Sequence, residues 1–330
     1  MTPGGASVGP HVTVQAPARL HFGVLDLRGA LGRRFGGMGA AVPEPSLLLE
    51  ASPARALCAD GPDAERVLDF ARRYLAFHGL TVGADLRVRR ALPAHAGLGS
   101  GTQLALATAR ALAELHRLPT DAAQLARSVG RAQRSAIGTW VFAGGGFVLE
   151  GGRRDGSSTP APLLARLPIP EAWRCVVAVP RSAPGVSGDA EAAAFARLPP
   201  PPEREVERVA HLVLMQLLPA LADAELPAFG AALTAVQEIT GRWFAPAQGG
   251  PFAPGASAEL VRRMAEWGAA GVGQSSWGPA VYAIVGDDDA AQSLAARVRA
   301  VVSDGLVFAG GFSNAGAIVR GVGSWERSRE

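Results

Sequence analysis

Hydrophobic and polar positions change period several times along this chain, and the changes divide it into elements. Residues 12–20 alternate and predict a strand, followed by a glycine-rich stretch over residues 29–39 and a second strand over 47–51. Between 63 and 78 the apolar positions Val67, Phe70, Tyr74 and Phe77 fall at helical spacing, and residues 85–89 alternate again as a strand. Leu104, Thr108, Ala111, Leu112 and Leu115 then mark one face of a helix that Pro119 ends, and a further helix is predicted over 121–134.

Around residues 160–170 the chain is proline-rich, and a buried strand over 175–179 restarts the pattern. This predicts two domains, residues 1–165 and 166–330, a division that suits a 330-residue chain. The second half is predicted to hold helices over 189–197, 203–218, 225–240 and 257–270. A strand over 280–285, a helix over 288–301 and a strand over 306–309 follow. Residues 1–10 read as a loose glycine- and proline-rich lead-in.

Composition narrows the chemistry. Apolar residues make up 48% of the chain and charged residues 18%, enough to bury real cores without disorder. The 32 basic residues are all arginine, so Schiff-base lysines, a Walker lysine and a lysine general base are excluded. Any phosphate or carboxylate must be met by arginine, backbone N–H groups or a metal ion. The arginines are scattered, without a basic block interleaved with aromatics, which argues against nucleic acid as a partner. Cys58 and Cys175 stand far apart without a CxxC partner, as in a cytoplasmic protein with reduced thiols. No apolar run reaches the length of a membrane span.

The densest candidate chemistry lies in Gly97-Leu98-Gly99-Ser100-Gly101-Thr102, between a predicted strand and a predicted helix. Glycines allow positive φ and close backbone approach, and the first N–H groups of a helix lack partners and carry positive partial charge. The combination is an anion cradle. Gly286-Asp287-Asp288-Asp289, by contrast, reads as the acidic cap of the helix beginning near residue 288.

Residues 93–102 resemble the P-x-x-x-G-L-G-S-S/G phosphate loop of the GHMP superfamily, named for galactokinase, homoserine kinase, mevalonate kinase and phosphomevalonate kinase. Residues 17–23 resemble its N-terminal motif, and residues 271–279 take the place of its C-terminal glycine motif. The resemblance implies an α+β, two-domain fold: an N-terminal domain like the second domain of ribosomal protein S5, and a ferredoxin-like C-terminal domain. Substrate would lie in the cleft between them.

Many kinases of the superfamily carry an activating acid in a P-S-G-I-D segment. The similar stretch here, residues 134–139, has Gly138 where that acid should stand. Residues 19–27, 98–105, 134–139 and 273–279 together resemble a non-kinase branch, the β-ribofuranosylaminobenzene 5′-phosphate synthases of tetrahydromethanopterin biosynthesis, a part of one-carbon metabolism. That resemblance implies a decarboxylating phosphoribosyl transferase. It would condense phosphoribosyl pyrophosphate with 4-aminobenzoate or 4-hydroxybenzoate, release CO2 and pyrophosphate, use Mg²⁺, and possess a homodimeric form as a family option. An ATP-dependent GHMP kinase of small molecules is the alternative.

On this reading Arg19, Asp26 and Arg134 are the candidate catalytic residues, for holding anions or stabilising charge at the anomeric carbon. Candidate substrate contacts are His21, Gly97, Gly99, Ser100, Gly101, Thr102 and Gln103 from the first half. Gln274, Ser275, Ser276 and Trp277 are those from the second. No metal ligand is assigned from the sequence.

Overall fold

A computed structural model describes residues 11–181, 188–302 and 304–322; the predicted lead-in over residues 1–10 lies outside them. Two sheets organise the chain. The first is built on a long antiparallel pair, β1 (His11–Asp26) and β2 (Phe35–Ala54). Val12, Val14, Ala16, Ala18, Leu20 and Phe22 all point into the core, as a period of two requires.

The strands are longer than the pattern predicted, and much of the glycine-rich stretch belongs to β2 rather than to a loop. Gly39 explains why glycine is tolerated in a strand here. A methyl group on it would lie 2.3 Å from the Leu20 carbonyl oxygen and 2.7 Å from Ile137 Cγ2. The glycine therefore permits close backbone and helix approach. β2 then pairs with β4 (Gly83–Arg90), which holds β3 (Leu57–Asp60) in parallel. Nearer its start, β2 pairs with β5 (Phe147–Glu150), which carries β6 (Leu163–Leu167).

Helices α1 (Ala64–Phe77) and α2 (Ser100–His116) cover this sheet. In α2 the residues from Gln103 to Ala113 are almost all buried, because alternating alanines let neighbours close in on every side. The predicted helix over 121–134 is shorter, α3 (Ala122–Ser128), and a separate helix α4 (Ile137–Gly144) follows. Between them Gly130 and Ala132 take φ of 69° and 60°, a conformation that breaks the helical path.

The second sheet contains β7 (Arg174–Val179), β8 (Gly271–Gln274), β9 (Val281–Val285) and β10 (Leu306–Gly311). Its spatial order is β10-β7-β9-β8 with every pairing antiparallel, the ferredoxin-like βαββαβ arrangement. The intervening chain forms α5 (Gly188–Arg197) and α6 (Glu203–Leu212). One π turn (Val213–Leu217) joins α6 to α7 (Leu218–Ala222), before α8 (Leu226–Gln248) and α9 (Ala256–Glu266). Helix α10 (Asp288–Val301) starts at Asp287, whose carboxylate accepts the Ala290 N–H, the capping role expected for the acidic run. The last strand, β11 (Ile318–Val322), returns to pair with β1 in the first sheet. The molecule is thus an α+β, two-sheet protein.

Alternation divides the second sheet between two cores. Val176, Ala178, Val281, Ala283 and Val285 pack under α9 and α10. Cys175, Val177, Tyr282 and Ile284 face the main core instead, where the Tyr282 ring lies 4.9 Å from that of Phe22. Helix α8 completes the junction by packing on both β8 and β1. No helix among the described residues is long and apolar enough to cross a membrane.

Gly39→Ala is expected to destabilise the protein by roughly 3 kcal/mol or more, because backbone and helix α4 must both move. Gly32→Ala, at φ 78° but with no neighbouring atom within 4 Å, should lose only about 1 kcal/mol to backbone strain. Urea unfolding midpoints at equal m-values distinguish the two.

Candidate functional site

The glycine loop ends in a left-handed residue, Gly99, at φ 76°, and no side chain caps the helix that follows. The Thr102 N–H donates to the Gly99 carbonyl at 3.0 Å, so the Ser100 and Gly101 N–H groups are the helix-end donors suited to a ligand. Two guanidinium groups flank this helix end: a methyl group on Gly101 would lie 2.8 Å from Arg66 Nη2 and 3.3 Å from Arg131 Nη2. Arg131 also stacks over the Phe70 ring at 4.8 Å, and Arg66 pairs with Asp63 at 3.0 Å. Dipole and guanidinium charge have the same sign here, so the loop forms a strongly anion-attracting corner.

Gly97 is pinned from both halves of the molecule. Its carbonyl accepts from Arg19 Nη1 at 3.1 Å and from the Ser275 hydroxyl at 2.7 Å. The same Ser275 oxygen accepts the His21 N–H at 2.9 Å. Ser275 is consequently a buried clamp between β1, the loop and β8, with its hydroxyl directed away from the cavity.

The loop opens onto a cavity of about 240 Å³ between the two halves. Arg19, His21 and Thr102 line one side, and residues 130–135, including Arg131 and Arg134, line another. The opposite wall is aromatic, formed by Phe35, Phe195, Phe244 and Trp277. Trp277 meets Phe244 and Phe195 edge-on at 4.9 and 5.4 Å, and the Arg134 guanidinium lies 5.5 Å over Phe195. Amide and hydroxyl groups of Gln237, Thr240, Gln248, Gln274 and Ser276 complete the lining, and no carboxylate occurs among its described residues.

Of the residues singled out from the sequence, Arg19, His21, Thr102, Arg134, Gln274, Ser276 and Trp277 reach this cavity, while Gly97, Gly99, Ser100 and Gly101 form the loop and helix end at its anion-attracting corner. Asp26 does not join them. Its carboxylate accepts the N–H groups of Arg28 and Gly29, capping the turn after β1. Gln103 is fully buried and donates to the Gly138 carbonyl at 3.0 Å, so it supports the neighbouring turn. Gln274 is engaged in bonds to Ala253, Gln248 and Ser276 that fix the loop around it.

Sequence reasoning missed Arg66 and Arg131, because nothing in their spacing shows that helix α1 and the turn after α3 bring them to Gly101. It also missed Phe35, Phe195 and Phe244, which belong to none of the matched motif segments. Gly138 has a physical reason to be glycine: a methyl group there would lie 2.9 Å from Thr102 Cγ2. Any side chain at this position would therefore press on Thr102.

His21 is held neutral. Burial, helped by the Arg19 charge, pushes its pKa from 6.5 down to about 3. Nδ1 accepts the Gly23 N–H at 3.3 Å, which assigns the proton to Nε2 and makes the ring a hydrogen-bond donor there. Such an imidazole donates to an anion without carrying charge.

Residues 64–143 match the family model described as GHMP kinases N terminal domain, and residues 217–304 match GHMP kinases C terminal. Curated relatives named beta-ribofuranosylphenol 5′-phosphate synthase share sequence over most of the chain. The one from Methanothermobacter thermautotrophicus is 36% identical, spanning 93% of this chain and 98% of the relative. That from Archaeoglobus fulgidus is 35% identical, spanning 82% and 87%. Among solved structures, homoserine kinase from Cytophaga hutchinsonii matches with a TM-score of 0.62 at 19% identity, over 97% of this chain and all (100%) of that one. Phosphomevalonate kinase from Streptococcus pneumoniae matches with 0.65 at 12% identity, over 91% and 99%. These two share the fold.

Because His21 takes up its proton at about 6.5 when unfolded and at about 3 when folded, the stability it confers is complete above 6.5 and is lost as pH falls towards 3. Denaturation series at pH 7.5, 6, 5 and 4 should show wild type losing stability relative to His21→Gln, by on the order of 4 kcal/mol across the whole window. Parallel curves for the two proteins would contradict the assignment of a buried neutral ring.

Proposed function

The chain belongs to the GHMP superfamily and to the synthase family of its curated relatives, and from that premise we propose that it joins phosphoribosyl pyrophosphate to a 4-substituted benzoate. The supporting observation is a single cavity in which an aromatic wall adjoins an arginine-lined phosphate cradle. The relatives are named for a phenol product, which favours 4-hydroxybenzoate over 4-aminobenzoate as the ring substrate. The products are a C-riboside 5′-phosphate, CO2 and pyrophosphate, and the cytoplasm is the fitting compartment for two cysteines outside any disulfide.

In this reaction the bond from the anomeric carbon to pyrophosphate breaks as the ring carbon bearing the carboxylate bonds to that carbon. The C–CO2 bond then breaks, and its electron pair restores the aromatic ring. Charge develops on the departing pyrophosphate, so donors aimed at it lower the barrier most. On this reading the N–H groups at the start of α2, the Thr102 hydroxyl, Arg66 and Arg131 would meet that anion, a role supported by their nearness to the start of α2. Arg134, over the aromatic wall, suits the benzoate carboxylate, and the neutral His21 suits a phosphate or hydroxyl oxygen.

Mg²⁺ enters this reading with the substrate. The described residues offer no cluster of three carboxylate, histidine or cysteine ligands, so pyrophosphate oxygens and water would supply most of its coordination, with the Ser100 and Thr102 hydroxyls as protein donors. The ion would neutralise the leaving group.

Purified protein given phosphoribosyl pyrophosphate, Mg²⁺ and carboxyl-labelled 4-hydroxybenzoate or 4-aminobenzoate should release labelled CO2 in equal amount to pyrophosphate. Absence of release with both acids would refute the reading. Thr102→Val, which preserves shape and removes the hydroxyl, should raise the KM for phosphoribosyl pyrophosphate by about 10-fold or more.

A further inference from the structure

Behind the cavity wall lies an acid that the reaction above does not use. Glu150, the last residue of β5, is fully buried. One carboxylate oxygen, Oε1, accepts the Ala136 N–H at 3.2 Å, and the Ser135 hydroxyl also donates to the side chain. Ser135 Oγ in turn accepts the Ile137 N–H at 3.3 Å, which directs its own proton towards Glu150. The second oxygen, Oε2, is buried without a partner.

We propose that Glu150 is a positioning residue: its carboxylate holds the turn of Arg134, Ser135 and Ala136 in place, and through that turn it presents the Arg134 guanidinium to the cavity. The proposal rests on the reading of Arg134 as the benzoate contact. Arg134 and Ser135 both line the cavity, whereas Glu150 touches neither cavity nor substrate. A buried carboxylate is destabilising compared with a neutral residue unless its charge serves a purpose, and a loop that must be gripped by two donors supplies one. Its neighbours across the sheet, Gly37 on β2 and Leu163 on β6, offer it no hydrogen-bonding side chain.

The ionised form suits these partners better: two donors converge on the carboxyl group, and each bond is stronger to a carboxylate than to a neutral acid. Burial pushes the Glu150 pKa up to about 7, while the bonds from Ala136 and Ser135 oppose that rise. Charged or titratable side chains on the elements around it include Arg131 and Arg134 on the turn itself, Arg153, which donates to the Gln133 carbonyl, Arg166 on β6, which donates to the Gly145 and Trp140 carbonyls, Arg19, His21 and Asp26 on β1, and Glu44 and Glu50 on β2. The turn should therefore loosen as pH falls through about 7, with loss of benzoate binding rather than of the phosphoribosyl half-site.

The test is the pH profile of kcat/KM for 4-hydroxybenzoate in wild type, Glu150→Gln and Ser135→Ala. Wild type should show an acid limb near 7. Glu150→Gln should lack the limb and have a KM for the benzoate raised about 10-fold, with kcat and the KM for phosphoribosyl pyrophosphate little changed. Ser135→Ala removes a bond that favours the charged form, so its limb should move to higher pH. Arg134→Gln and the double variant with Glu150→Gln should be equally impaired, because the acid acts through the arginine. A limb that is identical in all three proteins, or losses that add, would overturn the proposal. Titrating 4-hydroxybenzoate against tryptophan fluorescence gives the same comparison without turnover. A pH-dependent, Glu150-dependent affinity in a protein that releases no CO2 would retain the positioning role and reject the reaction.

Discussion

At Gly97 the glycine loop is pressed so closely against the second half of the molecule that a methyl group would lie 2.1 Å from the Ser275 carbonyl oxygen. The Ser275 hydroxyl ties the Gly97 carbonyl and the His21 N–H together in the same place. Three segments far apart in sequence are thereby locked at one point. The contact fixes the glycine loop that leads into α2 against both β1 and the residue after β8. Glycine at position 97 is a steric requirement of the assembly as much as a concession to its φ of 82°.

From this junction the cavity inherits its electrical character. Helix dipole, Arg66 and Arg131 act on one corner, while Arg19 and Arg134 line the space beside it. A neutral His21 adds a donor without adding charge. The aromatic wall opposite excludes water and offers ring faces and edges to a flat substrate. A cavity built in this way is suited to anions together with an aromatic group, and a methyl group at position 138 would lie 2.9 Å from Thr102 Cγ2.

The long periodic elements were legible in the sequence: α1, α2, α10, β1, β4, β7 and β9 follow from periods of 3.6 and 2, whereas the short inner strand β5 was not predicted. Motif spacing singled out the glycine loop and Arg19, His21, Thr102, Arg134 and Trp277, and the fold brings these five side chains to one cavity. The pattern failed where tertiary approach overrode local signals. Gly36, Gly37 and Gly39 look like a loop but lie in β2, because α4 and the neighbouring strands need the space a side chain would fill. Asp26 looked chemical and is a turn cap, since its carboxylate finds two backbone N–H groups within its own loop.

The chain's own order of residues determined the fold family, an anion-binding loop free of lysine, and the absence of an acid at position 138, because each is a property of local spacing or residue type. Which side chains share a cavity was decided only by the tertiary structure. Phe195 on α5, Phe244 on α8 and Trp277 after β8 form one wall, although 82 residues separate the first from the last. Glu150 reads as the polar end of an apolar strand until burial and the Ala136 and Ser135 donors give its charge a task. Burial, hydrogen-bond direction and pKa depend on neighbours distant in sequence, and a linear pattern does not carry that information.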